Sequence, residues 1–191
     1  AMLALDPEHR LLARAPRHRL ASWMIRDIAL RVSGLLNDAV GGPPAKPYQP
    51  EGVWAEITMG RLSYTPSAGP EQYRRTIYAF WRRSLAPPFL FDSAQRRVCV
   101  VVTRRTITPI HALTLMNETT MLEASRALAD LAVDQLTENA TPEQALDTLT
   151  LRVLSRRLNE TERAAVMRML YKASAHYQAN TSDAVRYTTV G

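Results

Sequence analysis

Cysteine is almost missing from this 191-residue, 21.4 kDa chain; Cys99 is the one there is. A single thiol excludes an internal disulfide framework, cysteine-clustered zinc and iron–sulfur sites, and covalent haem attachment through C-x-x-C-H. Lysine is scarce too: with Lys46 and Lys172 the two lysines, 22 of the 24 basic residues are arginine. No stretch approaches the ~18 consecutive apolar residues of a membrane span, so membrane insertion is not expected. No signal-peptide pattern opens the chain, and Ala1 before Met2 reads as a cloning remnant on a domain taken from something longer. The four histidines, His9, His18, His111 and His176, lack metal-ligand spacing, and H-E-x-x-H is missing. So are the nucleophile elbow and both glycine-rich phosphate loops; Gly41-Gly42 runs straight into two prolines, which have no N–H to offer a phosphate.

What remains is ordinary globular composition, 46% hydrophobic and 22% charged, at a length suited to one domain. A chain of this size buries roughly 70% of its unfolded surface and needs no metal or disulfide to hold it. The net charge of +6 comes from arginines set in pairs, Arg74–Arg75, Arg82–Arg83, Arg96–Arg97, Arg104–Arg105 and Arg156–Arg157. None forms the basic run of a nucleic-acid tail, so nucleic acid is the least favoured partner. Internal pairing and solvated faces come first, and binding of an anion through the guanidinium fork second.

Hydrophobic periodicity predicts a mainly α domain. Leu20, Met24, Ile28, Val32 and Leu35 recur at helical spacing, with Ser22 as N-cap and Arg26 and Asp27 on the flank. Residues 40–54, rich in proline and carrying Tyr48, Gln49 and Trp54, read as a long proline-braced loop wrapped on the core. A minor β element is expected as a hairpin of 55–59 with 62–65, or as a strand over 98–103 containing Cys99. Pro70 opens a helix through residue 85 whose aromatic face is Tyr73, Ile77 and Phe80, with Arg75 and Arg82 aligned on the other side. Thr108 and Pro109 start a short helix to Asn117. Helices are then expected over 121–136, from the capping box at Thr141 to Leu154, from Asn159 to Tyr177, and from Ser182.

Three blocks carry a resemblance: Ile25-Arg26-Asp27 through Val53-Trp54, Tyr73-Arg74-Arg75 through Trp81-Arg82-Arg83, and Arg97-Val98-Cys99 through Leu115-Met116-Asn117. In this order they resemble the planctomycete-specific C-terminal domain of unknown function. The blocks lie within 20–117, and residues 119–191 form a helical C-terminal part of the same single domain. The resemblance implies an exported polypeptide in which a planctomycete-type cytochrome c domain and a second uncharacterised domain come first. Haem is then expected in the fused cytochrome domain, with no cofactor or metal in this chain. Two positions depart from the family's last block: Ile107 stands for asparagine and His111 for glutamine, which removes any ligand contact those two would make. The chain also stops near the family's usual final helix.

Three functions follow as expectations. In the first, the chain is a non-catalytic helical interaction module that docks with the neighbouring domains of its own polypeptide. In the second it binds an anionic, sulfated polysaccharide, a use made plausible by the sulfatases such families accompany. Its site residues would be Tyr48, Gln49, Trp54, Arg75, Trp81, Arg82, Arg104, Arg105 and Asn117, with the arginines converging on one concavity and the indoles stacking on sugar rings. In the third, Asp92, His111 and Asn117 meet as a hydrolase site, which requires two titratable groups within hydrogen-bond reach in a cleft.

Overall fold

The computed structural model describes residues 2–11, 19–82, 85–92, 101, 105–134 and 141–191, and the expected strand over 98–103 lies outside these apart from Val101. The chain is mainly helical, with α1 (Met2–Leu5), α2 (Ser22–Val32), α3 (Val53–Thr58), α4 (Pro109–Asn117), α5 (Thr119–Asp134), α6 (Pro142–Leu154), α7 (Glu160–Ala179) and α8 (Thr181–Thr188). Central to the packing is α5, against which α2, α4 and α6 lie; α2 also touches α6, and α7 pairs with α8. Among the described residues the minor β element is limited to isolated bridges, Asn37 with Arg74, Ala45 with Ala79, and Arg82 with Leu85.

The C-terminal helices start where their caps predict. Thr141 accepts from the Gln144 N–H while Gln144 accepts from the Thr141 N–H at 2.9 Å, and Asn159 and Glu162 repeat the exchange at 2.9 and 3.0 Å. Pro109 fills the first position of α4, and the Thr108 hydroxyl accepts from the His111 N–H at 3.4 Å. Earlier in the chain Ser22 is not the cap. Ala21 takes that place without a side-chain bond, and Ser22 is the first helical residue and is buried. The C-terminal end of α2 turns through Gly34, whose φ of +78° is left-handed and whose missing Cβ would lie 3.4 Å from Leu131 on α5.

Two expectations fail in the middle of the chain. The hairpin of 55–59 with 62–65 does not form, because Val53–Thr58 coils into α3 and Met59 ends it in a left-handed turn. Nor is 70–85 an α-helix. Gly69–Tyr73 and Thr76–Tyr78 are short 3-10 turns separated by Arg74 and Arg75 in extended conformation. Long-range partners take the backbone groups an α-helix would use. Asn37 N–H donates to Tyr73 O at 3.0 Å, Ala45 N–H to Tyr78 O at 2.9 Å, and Phe80 N–H to Ala45 O at 2.7 Å. Tertiary pairing with the proline-braced loop overrides the local helical period.

The core is polar for its size. Arg26 and Arg74, 1% and 2% exposed, are the largest fully buried side chains, ahead of Phe89 and Leu30. Arg74 reaches into the loop and donates to the carbonyls of Ala39, Gly41 and Pro43, its guanidinium 4.2 Å above the Tyr78 ring. Gln72, oriented to satisfy both of its groups, donates to Lys46 O at 2.8 Å and accepts from Tyr48 N–H at 3.2 Å. Prolines remove donors from the loop, and these side chains satisfy the carbonyls of Ala39, Gly41, Pro43 and Lys46. Trp54, Tyr64 and Phe80 stack beneath it, with centroids 4.7 to 6.4 Å apart.

Candidate functional site

Arg26 and Asp27, expected on the flank of α2, instead organise the facing segment. Arg26 donates to Arg74 O at 2.8 Å, Gln72 O at 2.9 Å and the Thr76 hydroxyl at 3.2 Å, and lies 5.0 Å over Phe89. Burial lowers its pKa from the usual guanidinium value, against the opposing pull of Glu118, Asp27 and Glu123. Asp27 accepts from the Thr76 N–H at 2.7 Å and its hydroxyl at 2.6 Å. One helical step thus fixes the start of the second 3-10 turn from two sides.

Two buried carboxylates lie beyond this pair. Glu118 closes the joint between α4 and α5, accepting from the Met121 N–H at 3.1 Å and the Thr120 hydroxyl at 3.0 Å. Burial still pushes its carboxyl above the ordinary value. Glu123 accepts from the Tyr48 hydroxyl at 2.8 Å, and its second oxygen is buried with no hydrogen bond among the described residues. Burial and that carboxylate push the Tyr48 phenol well up, and Tyr73 is raised for the same reasons.

Three concavities take up most of the expected site residues. Tyr48, Gln49 and Asn117 line a cavity of about 500 Å³ with Pro50, Pro88, Ile110, Leu113 and Glu118. Trp54 and Arg82 line a second, about 470 Å³, together with Ile57, Met59 and Arg61. Arg75 and Trp81 line a third, about 400 Å³, with Trp23, Asp27, Thr76, Ile77 and Leu90. Arg105 lies apart and donates to Arg19 O, while Arg104 falls outside the described residues. Arg75, Arg82 and Arg105 therefore do not converge. Arg75 and Arg82 were aligned only on the α-helix that the loop pairing prevents. Trp54 is buried and stacked on Tyr64, with Arg82 6.0 Å over its ring, so its faces are already in use.

The expected trio of Asp92, His111 and Asn117 comes only partly together. His111 Nε2 is 3.9 Å from Asp92, beyond hydrogen-bond length, and its Nδ1 lies 3.4 Å from an Arg19 nitrogen. Asp92 accepts instead from the Thr106 N–H at 2.7 Å and hydroxyl at 2.6 Å. Asn117 donates to Leu113 O at 2.7 Å and faces the first cavity. Among the described residues no group of three histidine, cysteine or acidic side chains could hold a metal, and no helix is long and apolar enough to cross a membrane.

Reasoning from sequence missed Trp23, Asp27, Glu118 and Glu123. For Trp23 and Asp27 a signal existed: they are one helical turn apart on α2 and share a face. Nothing local marks the two glutamates, whose importance comes from what the loop lays over them.

A mainly helical domain assembled around a proline-braced loop, with arginines at its centre, is the class these features define. Over residues 1–170 the chain matches the family described as PSD1, protein of unknown function (DUF1553), and it belongs to that family. No curated protein and no solved structure matches it.

Proposed function

We propose that this chain is a non-catalytic docking module, and that its partner is the preceding part of the same exported polypeptide, the cytochrome c-type domain and its uncharacterised neighbour. The observation that carries the reading is α4. Among the helices of eight residues or more its sequence is the most apolar, yet it has no buried residue. Ile110, Leu113 and Met116, three residues apart and so on one face, are 71%, 59% and 65% exposed. Ile110 and Leu113 continue into the cavity walled by Tyr48, Pro50 and Pro88, so the stripe and the proline-braced loop form one apolar concave surface. Full burial of such side chains is worth up to about 1.5–3 kcal/mol each, enough to anchor a domain–domain contact.

The arginines favour the same reading. Arg26 and Arg74 are spent on carbonyls of the chain itself, and Arg75 and Arg82, both expected to grip sulfate, line separate cavities. The domain order and the export rest on the sequence resemblance. The test is calorimetric titration of the purified preceding domains with this chain, alongside the Leu113→Glu/Met116→Glu variant. Docking through α4 predicts saturable binding by the parent and its loss in the variant, with the circular dichroism spectrum unchanged. Equal binding by both would remove α4 from the account, and no binding by either would overturn it.

A further inference from the structure

The cavity between α2 and residues 75–81 is built unlike its neighbours. One wall presents Trp23 and, one turn on, Asp27. The other presents Arg75 and Trp81, with Thr76, Ile77 and Leu90 completing about 400 Å³ of space. Each wall therefore carries one indole and one charge, and the charges are opposite. Asp27 is held in place by Thr76 through one oxygen, and the second makes no hydrogen bond among the described residues. Arg26, its sequence neighbour, is committed to Gln72, Arg74 and Thr76. Arg75 is exposed, and its side chain makes no hydrogen bond or ion pair among the described residues. Trp23 is 49% exposed.

We propose that this cavity binds a compact zwitterion with a quaternary ammonium group and an acid group, of the betaine or phosphocholine type. A simple anion drawn to Arg75 meets the carboxylate of Asp27, and a simple cation drawn to Asp27 meets the guanidinium. A ligand carrying both charges complements both walls. Indole faces attract a cation, most strongly one that sheds water easily. A primary ammonium has three donors to satisfy. The cavity offers it one free carboxylate oxygen, since the Thr76 hydroxyl already donates to Asp27 and accepts from Arg26. A methylated ammonium needs no acceptor and packs its methyl groups on the exposed Trp23 indole. The acid group, carboxylate or phosphate, takes the fork of Arg75.

The inference is independent of the docking surface, which lies on α4. Calorimetric titration and tryptophan fluorescence with glycine betaine and with phosphocholine test it. Tetramethylammonium chloride, sodium sulfate, a sulfated disaccharide and phosphatidylcholine vesicles serve as comparison arms. The zwitterions are expected to bind, and tetramethylammonium or sulfate alone to bind at least about tenfold more weakly. Trp23→Ala and Arg75→Ala, both at exposed positions, should each weaken binding about tenfold, with Arg75→Lys recovering part of the loss. Vesicle binding in addition to free phosphocholine would identify a lipid headgroup as the source, and binding of the free zwitterions alone a soluble solute. The proposal is overturned if neither zwitterion binds at about 10 mM, if Trp23→Ala binds as the parent does, or if only sulfate or the sulfated disaccharide binds.

Discussion

Replacing Arg26 with methionine should be among the most damaging single changes in the chain. The substitution keeps a long flexible stem but removes a guanidinium that makes three hydrogen bonds while 1% exposed. Two of its acceptors are carbonyls of Gln72 and Arg74, in a segment already held outside a regular helix, and no other donor among the described residues serves them. Hydrogen bonds from a charged donor contribute about 1.5–3 kcal/mol each, so the two carbonyl bonds together approach about 3–6 kcal/mol. Relief of the desolvation that lowers the Arg26 pKa offsets part of this. The net expected loss is about 3–4 kcal/mol, or roughly 6–16 °C in melting temperature at about 2–4 °C per kcal/mol for a chain of this length. Thermal and urea unfolding followed by circular dichroism measures it. Hydrogen exchange supplies the specific signature: faster exchange at the Asn37, Ala45 and Phe80 amides, which bond within the loop and the 69–80 segment. Arg26→Lys keeps the charge but not the fork and should recover less than half of the loss. Stability within about 0.5 kcal/mol of the parent, the size of an ordinary surface substitution, would refute the reasoning.

Tyr48→Phe removes the 2.8 Å hydrogen bond to the buried Glu123 carboxylate and should cost about 1–3 kcal/mol in urea unfolding. Because Glu118 has its carboxyl raised by burial, the folded chain keeps a proton that the unfolded chain has already released. Its contribution is therefore most favourable with the group protonated, and declines as pH rises from the ordinary carboxylate value through the raised one. Subtracting the stability curve of Glu118→Gln from that of the parent should isolate this decline, and a difference that grows with pH would contradict it. Gly34→Ala places a Cβ at φ +78° beside Leu131 and should destabilise by about 1 kcal/mol or more, measured as a lower thermal midpoint.

The periodic parts of the fold were legible in the sequence and the bridged parts were not. Thr141 with Gln144, Asn159 with Glu162, and Thr108 before Pro109 are local signals, and each helix begins where its cap lies. Residues 70–85 carry an equally good helical period, but their conformation is set by Asn37, Ala45 and Arg26, which lie 30 to 50 positions earlier. No local pattern encodes that distance. The same holds for the sites: Arg75 and Trp81 were recognisable as residue types, but which wall they face depends on Trp23 and Asp27 across the cavity. Arg26 itself reads as a surface residue on any hydrophobic scale, and only the carbonyls of the loop-bound segment explain its burial.

The central proposal is that the apolar face of α4 is a contact surface for the neighbouring domains that the sequence resemblance implies. Hydrogen–deuterium exchange over residues 109–117, compared between this chain and the full polypeptide, tests it most directly. Covering Ile110, Leu113 and Met116 with a neighbouring domain should slow exchange of the α4 amides in the full polypeptide, while the α7 amides serve as an internal reference. Identical α4 exchange in the two samples would contradict the claim.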